Sequence, residues 1–330
     1  LFNNNCCKGG LVLDGSADKG LLASIARLYY LDDLSIIEIA KILGMSRQRC
    51  SRLLKKAKEE GIVQIEVIDP TQEGVLNLEK QLEEKFSLRK AHVVNVFSKN
   101  SDLIRKAVGE AGARFFLRAV TPGNKVGIAY GRTLYELVRY VKPSVGENLN
   151  LIVVQLMGGL SRISANVFAT EIPKRLAEAL GAQVYYLPAP AFTKDRATRD
   201  AMLKDENVQA TLKEKIDLAL VGIGSVSPGA MLIQTGAITP EEYEELRARG
   251  AVGDICGTFF DVSGKIVEFS GNERRIAVSL DELRKKCPLV MGVAGGLEKA
   301  EAILGALRGR FLNVLVVDSL TAEEVLKRAD

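Results

Sequence analysis

Histidine occurs once in this chain of 330 residues, as His92. A Ser-His-Asp or Cys-His arrangement therefore has a single possible centre, and it lies in the apolar stretch HVVNV, the setting of a core or edge-strand histidine. Enzymatic proton transfer is not expected. The five cysteines, Cys6, Cys7, Cys50, Cys256 and Cys287, show none of the spacings that hold a metal, and adjacent Cys6-Cys7 makes a poor zinc pair. Neither a metal nor a cofactor is expected. No apolar run approaches the ~20 residues that span a bilayer, and the amino end lacks the charged-then-apolar pattern of a secretory signal. A cytoplasmic location without membrane partners is the expectation. With 47% hydrophobic and 6% aromatic residues, the composition is that of a globular protein.

Acidic residues are missing from one window. Between Lys41 and Lys58 lie seven Lys or Arg and no Asp or Glu. The whole chain carries 45 basic and 41 acidic residues, net +4; outside the window 38 basic residues face the same 41 acidic ones, which leaves −3. The basicity is one local face, of the kind that binds a polyanion.

Spacing says more than charge. Two helices crossing steeply around a short turn need a small residue where they touch and one tolerant of positive φ in the turn. Ala40, followed four residues on by Gly44, supplies both. Ile39, Leu43, Met45, Cys50, Leu53 and Leu54 fall where such a helix-turn-helix faces its own small core. Ser35-Ile36-Ile37-Glu38 reads as a capping box for the first helix and Ser46 as the cap of the second. Leu21, Leu22, Ile25, Ala26, Leu28 and Tyr29 form the stripe of a helix packed behind them. At about 100° per residue, Cys50, Leu53, Leu54 and Ala57 take one side of the second helix, while Gln48, Arg52 and Lys55 take the other. In a major groove the amino-terminal side chains reach base edges, Arg pairing with guanine and Gln with adenine. Gln48, Arg49 and Arg52 are the base-reading candidates; Ser46, Arg47, Ser51, Lys55 and Lys56 suit phosphates. Double-stranded DNA is the expected partner. A merely solvated basic face would account for the charge but not for the spacing.

Four segments are expected. Residues 1–18 are expected to be poorly ordered or extraneous to the fold; 19–70 form the helix-turn-helix domain, within which Ile62–Ile68 alternates like a short strand before a break at Asp69-Pro70. Residues 71–88 carry the stripe Val75, Leu78, Leu82 and Phe86 of a linker or dimerisation helix, and 89–330 form a ligand-binding domain. There, Val/Ile/Leu-rich strands alternate with amphipathic helices, the pattern of an α/β protein with a doubly wound, mostly parallel, Rossmann-like sheet. Ligands of such sheets bind at the carboxyl ends of the strands, where three turns are rich in glycine. In VGIAYGRTLYEL, Gly131, Arg132 and Thr133 open a helix and suit an anion. QLMGGLS presents Gln155, Gly158 and Gly159. In GVAGGLEKA, Gly295-Gly296 opens a helix whose Lys299 points back toward its amino end. VGIGSVSPG, Val221–Gly229, begins like a dinucleotide fingerprint, but Ser227 stands where the last Gly belongs and Pro228 follows, so it reads as a plain strand-end turn.

The motifs LSIIEIAKILGMSRQRCSRLLKKAKEEGIV, GIAYGRTL, QLMGGL, YYLPAPA, VGIGS, AVGDICGTFFDVSG and VAGGLEKAEAILGALRGRFLNVLVVD, in this order, resemble the SorC family of bacterial sugar-responsive transcription regulators. The resemblance runs from about Leu21 to Ala329. It implies an effector domain related to the glucosamine-6-phosphate isomerase and deaminase fold, a phosphorylated sugar or related metabolite as effector, a homodimer or homotetramer, and effector-controlled repression of a carbohydrate operon. Motif by motif, it implies Gly131, Arg132 and Thr133 as the phosphate-binding loop, Asp254 as an acidic ligand contact and Lys299 as a basic one. Met157 departs from the Lys or Arg of some relatives, so no imine or second phosphate clamp is implied there. Two rival classes remain: a sugar-phosphate isomerase or deaminase, since fold does not fix function, and a nucleotide- or redox-sensing DNA-binding regulator. The lone histidine speaks against the first; the interrupted glycine pattern and the unpaired cysteines speak against the second.

Overall fold

The computed structural model describes residues 15–64, 72–142, 149–160 and 163–330, and the chain divides into two compact units, Leu1–Pro70 and Thr71–Asp330. The first unit consists of α1 (Gly15–Tyr30), α2 (Ile36–Ile42) and α3 (Arg47–Glu59). They close on Ile25, Ile39, Ala40, Cys50 and Leu54. At the start of α2 the capping box is formed, with Ser35 N–H donating to Glu38 Oε2 at 2.8 Å and Glu38 N–H to Ser35 Oγ at 3.3 Å. Gly44 turns the chain at φ +59°, and Met45 N–H donates to Ala40 O at 3.0 Å. Of the expected disorder over residues 1–18, residues 1–14 lie outside the described residues, and 15–18 belong to α1. Of the strand expected at Ile62–Ile68, residues 65–68 likewise lie outside them.

The second unit begins with α4 (Gln72–Phe86) and then alternates strand and helix: β1 (Lys90–Val94), α5 (Ser101–Ala119), β2 (Lys125–Ile128), α6 (Arg132–Tyr140), β3 (Ile152–Gln155), α7 (Ile163–Leu180), β4 (Gln183–Tyr185) and β5 (Leu218–Gly222). After the short strands β6 (Gly224–Ser225), β7 (Ala251–Ile255) and β8 (Thr258–Asp261), the rhythm resumes with β9 (Leu289–Val293), helix Ala300–Arg308, β10 (Val314–Asp318) and helix Ser319–Ala329. The main sheet has seven parallel strands in the order β1-β10-β9-β5-β2-β3-β4. Right-handed crossovers fix the rest. Steps from β1 to β2, β3 and β4 run one way along the sheet and put α5, α6 and α7 on one face; the step from β9 to β10 runs the other way and puts Ala300–Arg308 on the opposite face. The direction reverses between β2 and β5, so their carboxyl ends border the crevice where a doubly wound sheet takes its ligand.

Helix α4 packs on this unit's core through Leu78, Leu82 and Phe86. It also covers the edge of the sheet. The outward N–H groups of Ala91 and Val93 on β1 donate to Glu83 Oε1 and Glu79 Oε1, both at 2.9 Å, while Lys90 Nζ and His92 Nδ1 each lie 3.2 Å from Glu79. Burial alone would raise the Glu79 carboxyl, but the bonds from His92, Val93 N–H and Lys90 outweigh it and hold the group below its usual value.

Strands β6, β7 and β8 form a separate antiparallel sheet, an element absent from the sequence-based expectation. β7 and β8 join through Cys256 and Gly257 at φ +50° and +68°, a two-residue turn with both central residues left-handed. Beneath this sheet, Arg274 binds the buried Glu242 through Nε at 2.8 Å and through Nη2, and donates to Thr193 O at 3.0 Å and Ala237 O at 2.7 Å. Glu242 simultaneously closes the capping box of helix Pro240–Ala248 by accepting from Thr239 N–H at 2.9 Å. No described helix is long and apolar enough to cross a membrane. Arg274→Met leaves a buried carboxylate unpaired and is expected to lower stability by about 3–5 kcal/mol in denaturant titration; a loss below about 1 kcal/mol would show that Glu242 finds water or another partner.

Candidate functional site

The basic window folds as the amino-acid spacing requires. Cys50, Leu54 and Ala57 are buried on one side of α3, and Arg47, Gln48, Arg49, Ser51, Arg52 and Lys55 are exposed on its remaining surface. Ser46 caps the helix by accepting from Arg49 N–H at 3.2 Å, which leaves other amino-terminal N–H groups of α3 open to an anion. Lys55 and Lys56 pair loosely with Glu59 and Glu60 one turn on, at 3.8 and 3.5 Å. Such surface pairs contribute little, so both lysines can exchange a carboxylate for a phosphate at small cost. All eight candidates therefore lie on one small unit, with the base-reading trio on its first two turns.

At the other unit, a cleft opens at the reversal point between β2 and β5. Gly131, Arg132 and Thr133 line it from the start of α6, Gly222 from the end of β5, Gly224 from β6, Asp254 from β7, and Gly295 and Lys299 from the turn after β9. Two buried supports hold these groups. Asp318, at the end of β10, accepts from Thr321 N–H and from Gly296 N–H, both at 2.9 Å, and so fixes the turn that carries Lys299. Gly257 N–H donates to Asp254 Oδ2 at 3.0 Å, so the left-handed hairpin turn sets the direction of the carboxylate. Gly224 leaves room for the carboxylate, since a Cβ there would sit 2.0 Å from Asp254 Oδ1 and displace it.

The cleft is electrostatically costly when it holds charge. Burial pushes the Asp254 carboxyl up to about 6, with Gly257 N–H, Lys299 and Arg275 pulling the other way. Burial likewise brings the Lys299 ammonium down to about 8; Glu298 and Asp254 oppose this, while Arg132 and Arg105 add to it. Both side chains remain partly open to the cleft, but protein surrounds them on most sides and little bulk water solvates their charges.

The structure does not bring every candidate to this cleft. Gln155 is buried below it, donating to Met157 O at 2.7 Å and accepting from Leu187 N–H at 3.3 Å. Gly158 packs against a neighbouring backbone, where a Cβ would meet Ala189 O at 2.5 Å, and Gly159 N–H donates to Ala189 O at 2.8 Å. These three shape the turn that presents Met157, the residue of QLMGGL that does line the cleft. Conversely, Ser101, Arg105, Tyr130 and Cys256 line it unexpectedly. Ser101 and Arg105 open the helix after β1, a turn without glycine and so without the signal used for the other three. The VGIGS stretch enters β6 after Gly222, so it lacks the helix amino end that cradles a pyrophosphate. His92 sits on edge strand β1 against Glu79, outside the lining residues.

Known proteins match both units in the same order. Residues 71–327 fit the family described as "Putative sugar-binding domain", and residues 32–64 fit the winged helix-turn-helix DNA-binding family. The chain is similar to the deoxyribonucleoside regulator of Bacillus subtilis, 37% identical over 305 residues, which cover 91% of this chain and 95% of that protein. The sorbitol operon regulator of Klebsiella pneumoniae is 33% identical over 323 residues, covering 96% of this chain and all 100% of the relative. The crystal structure of that full-length regulator superposes with a TM-score of 0.75 at 32% identity, covering 95% of this chain and 99% of the other. The likeness thus spans the DNA-reading helices and the cleft-bearing sheet alike, and the chain belongs to the SorC family of sugar-binding transcriptional regulators.

Proposed function

We propose that this regulator represses a carbohydrate-utilisation operon in the cytoplasm and that a phosphorylated sugar, bound in the cleft between β2 and β5, sets its affinity for operator DNA. The observation that carries the reading is the convergence at one reversal point of a helix amino end, Gly131-Arg132-Thr133, with the Lys299 ammonium and the Asp254 carboxylate. A phosphoryl group suits the helix end and the cations, and sugar hydroxyls suit the carboxylate. Gln155, Gly158 and Gly159 support the site from behind.

On DNA, Gln48, Arg49 and Arg52 read bases, and Ser46, Arg47, Ser51, Lys55 and Lys56 hold phosphates. The working form is a homodimer or larger homo-oligomer reading symmetric half-sites. The effector acts by linkage: it shifts operator affinity by binding the DNA-competent arrangement better or worse than the other, and weakens operator binding only if it binds that arrangement less well. Cys256 and Cys287 do not fit a redox sensor, because burial pushes the Cys256 thiol up to about 12 and the Cys287 thiol up to about 11, away from the reactive thiolate.

A second reading is enzymatic, favoured by one observation: Asp254 and Lys299 line one cleft, where burial pushes the carboxyl up to about 6 and brings the ammonium down to about 8, as suits an acid and base. Incubation with aldose and ketose phosphates decides it, since turnover would establish an enzyme. Binding without turnover is the expected result.

Three outcomes test the main reading. On a duplex selected from a random pool, Arg52→Ala is expected to cost about 1–3 kcal/mol and relax preference at one base pair, whereas Lys55→Ala weakens all duplexes and lowers the salt slope by about one. Equal losses on selected and random DNA for both would reverse the assigned roles. Arg132→Ala and Lys299→Ala should abolish the sugar-phosphate shift in melting temperature yet leave operator binding unchanged. Effector affinity should peak between about pH 6 and pH 8: below that window Asp254 is protonated and loses its acceptor charge, and above it Lys299 loses its proton and its pull on phosphate. A calorimetric pH series that is flat from pH 5 to pH 9 would contradict this.

A further inference from the structure

One cleft-lining residue carries a buried polar atom without a hydrogen-bond partner among the described residues. Tyr130 stands between β2 and α6, at the reversal point, and its hydroxyl oxygen is sealed from solvent with no hydrogen-bond partner among the described residues. A buried hydroxyl left unsatisfied costs about 1–3 kcal/mol, so such groups call for an explanation. The charged and thiol groups that act on this phenol are Asp254 and Cys256, both lining the same cleft. No hydrogen bond joins Tyr130 to either. Asp254 is itself half used: Oδ2 accepts from Gly257 N–H, while Oδ1 lies over Gly224, where a side chain would collide with it.

We infer that Tyr130 and Asp254 together grip one hydroxyl group of the effector, the phenol donating to its oxygen and the carboxylate accepting its proton. The inference rests on the reading of the cleft as the effector site. The chemistry selects the ligand group. A phosphate or carbonyl oxygen would satisfy Tyr130 but face the Asp254 carboxylate without a proton to offer. An ammonium would satisfy Asp254 but has no lone pair for Tyr130. A hydroxyl offers one donor and two lone pairs, so it satisfies both at once. Burial keeps the phenol protonated, hence a donor, across physiological pH, and Asp254 is an acceptor above about 6. The effector is therefore a sugar or polyol phosphate that is hydroxylated at the gripped carbon, and Tyr130 is the residue that reads that carbon. Removing the ligand's hydroxyl leaves two protein groups unpaired where none was, which is the condition under which a site discriminates strongly.

The test uses the full chain and its Tyr130→Phe variant, with inorganic phosphate, the monophosphates of ribose, fructose, glucitol and erythritol, and singly deoxygenated analogues of whichever of these stabilises most. Without ligand, Tyr130→Phe should melt at or above the wild-type temperature, because it removes an orphaned hydroxyl rather than a bond. It should bind inorganic phosphate as the wild type does and bind the sugar phosphate about tenfold more weakly. For one deoxy analogue the wild type should lose at least a hundredfold in affinity, and Tyr130→Phe should narrow that gap about tenfold, a coupling that a merely structural role would not produce. Asp254→Asn should narrow the same gap and no other.

Four results overturn the inference. A loss of several degrees by Tyr130→Phe without ligand would reveal an existing bond to the protein or to bound water. Unchanged sugar-phosphate affinity would remove the contact, and equal penalties for every deoxy analogue would remove the selectivity, while both leave the proposed function standing. Absence of a shift with all sugar phosphates and inorganic phosphate would overturn the proposed function, and the Tyr130 assignment with it.

Discussion

A parallel sheet whose crossovers reverse direction must part its strand-to-helix turns at one place. In this chain the reversal lies between β2 and β5, and the rest of the second unit is arranged around the opening. The turn after β2 supplies a helix amino end, and the turn after β5 leads into the small antiparallel sheet whose middle strand returns Asp254 to the gap. β10 contributes no lining residue, yet its Asp318 ties down the turn that carries Lys299. Main-chain geometry thus decides where charge can meet, before any side chain is considered.

What charge meets there is poorly solvated. A cation brought down by burial and a carboxyl brought up by burial face each other's surroundings without forming an ion pair. Each carries unfavourable solvation that a ligand of matching shape can relieve. The hydroxyl-bearing phosphate monoester proposed as effector would be such a ligand, and its binding to the folded state would raise stability by the same physics. Met157, Ile223 and Leu232 line part of the cleft with apolar surface, which lowers the local dielectric and strengthens every polar contact made beside them.

The helix-turn-helix was legible residue by residue because its constraints are local: Ser35 with Glu38, Ala40 with Gly44, and the apolar spacing that ends in Leu54 all act within one or two turns. Strands and helices of the main sheet were legible for the same reason, through runs such as VLVVD alternating with amphipathic stretches. The β7–β8 hairpin was not, since its turn is Cys-Gly rather than the Asn-Gly or Asp-Gly that usually marks one, and Gly253 interrupts its alternation. Site residues divided along similar lines. Gly131, Arg132, Thr133 and Lys299 announced themselves by glycine at strand ends, and Asp254 by family resemblance. Arg105 and Tyr130 depend on which helices become neighbours, and Gln155 is drawn below the floor by its bonds to Met157 and Leu187. Such facts belong to the packed structure, and one sequence without relatives aligned to it does not contain them in readable form.

The two carboxylates laid along β1 have a consequence for how this sheet can grow. A bare edge strand offers a ladder to any other chain, and a sheet with two bare edges can add copies without end. Glu79 and Glu83 already occupy the outward N–H groups of Ala91 and Val93, which stops the ladder on that side. β4 forms the opposite edge. Any copy pairing with this sheet edge to edge would have to do so along β4, and the stopped β1 edges would then end the extended sheet on both sides.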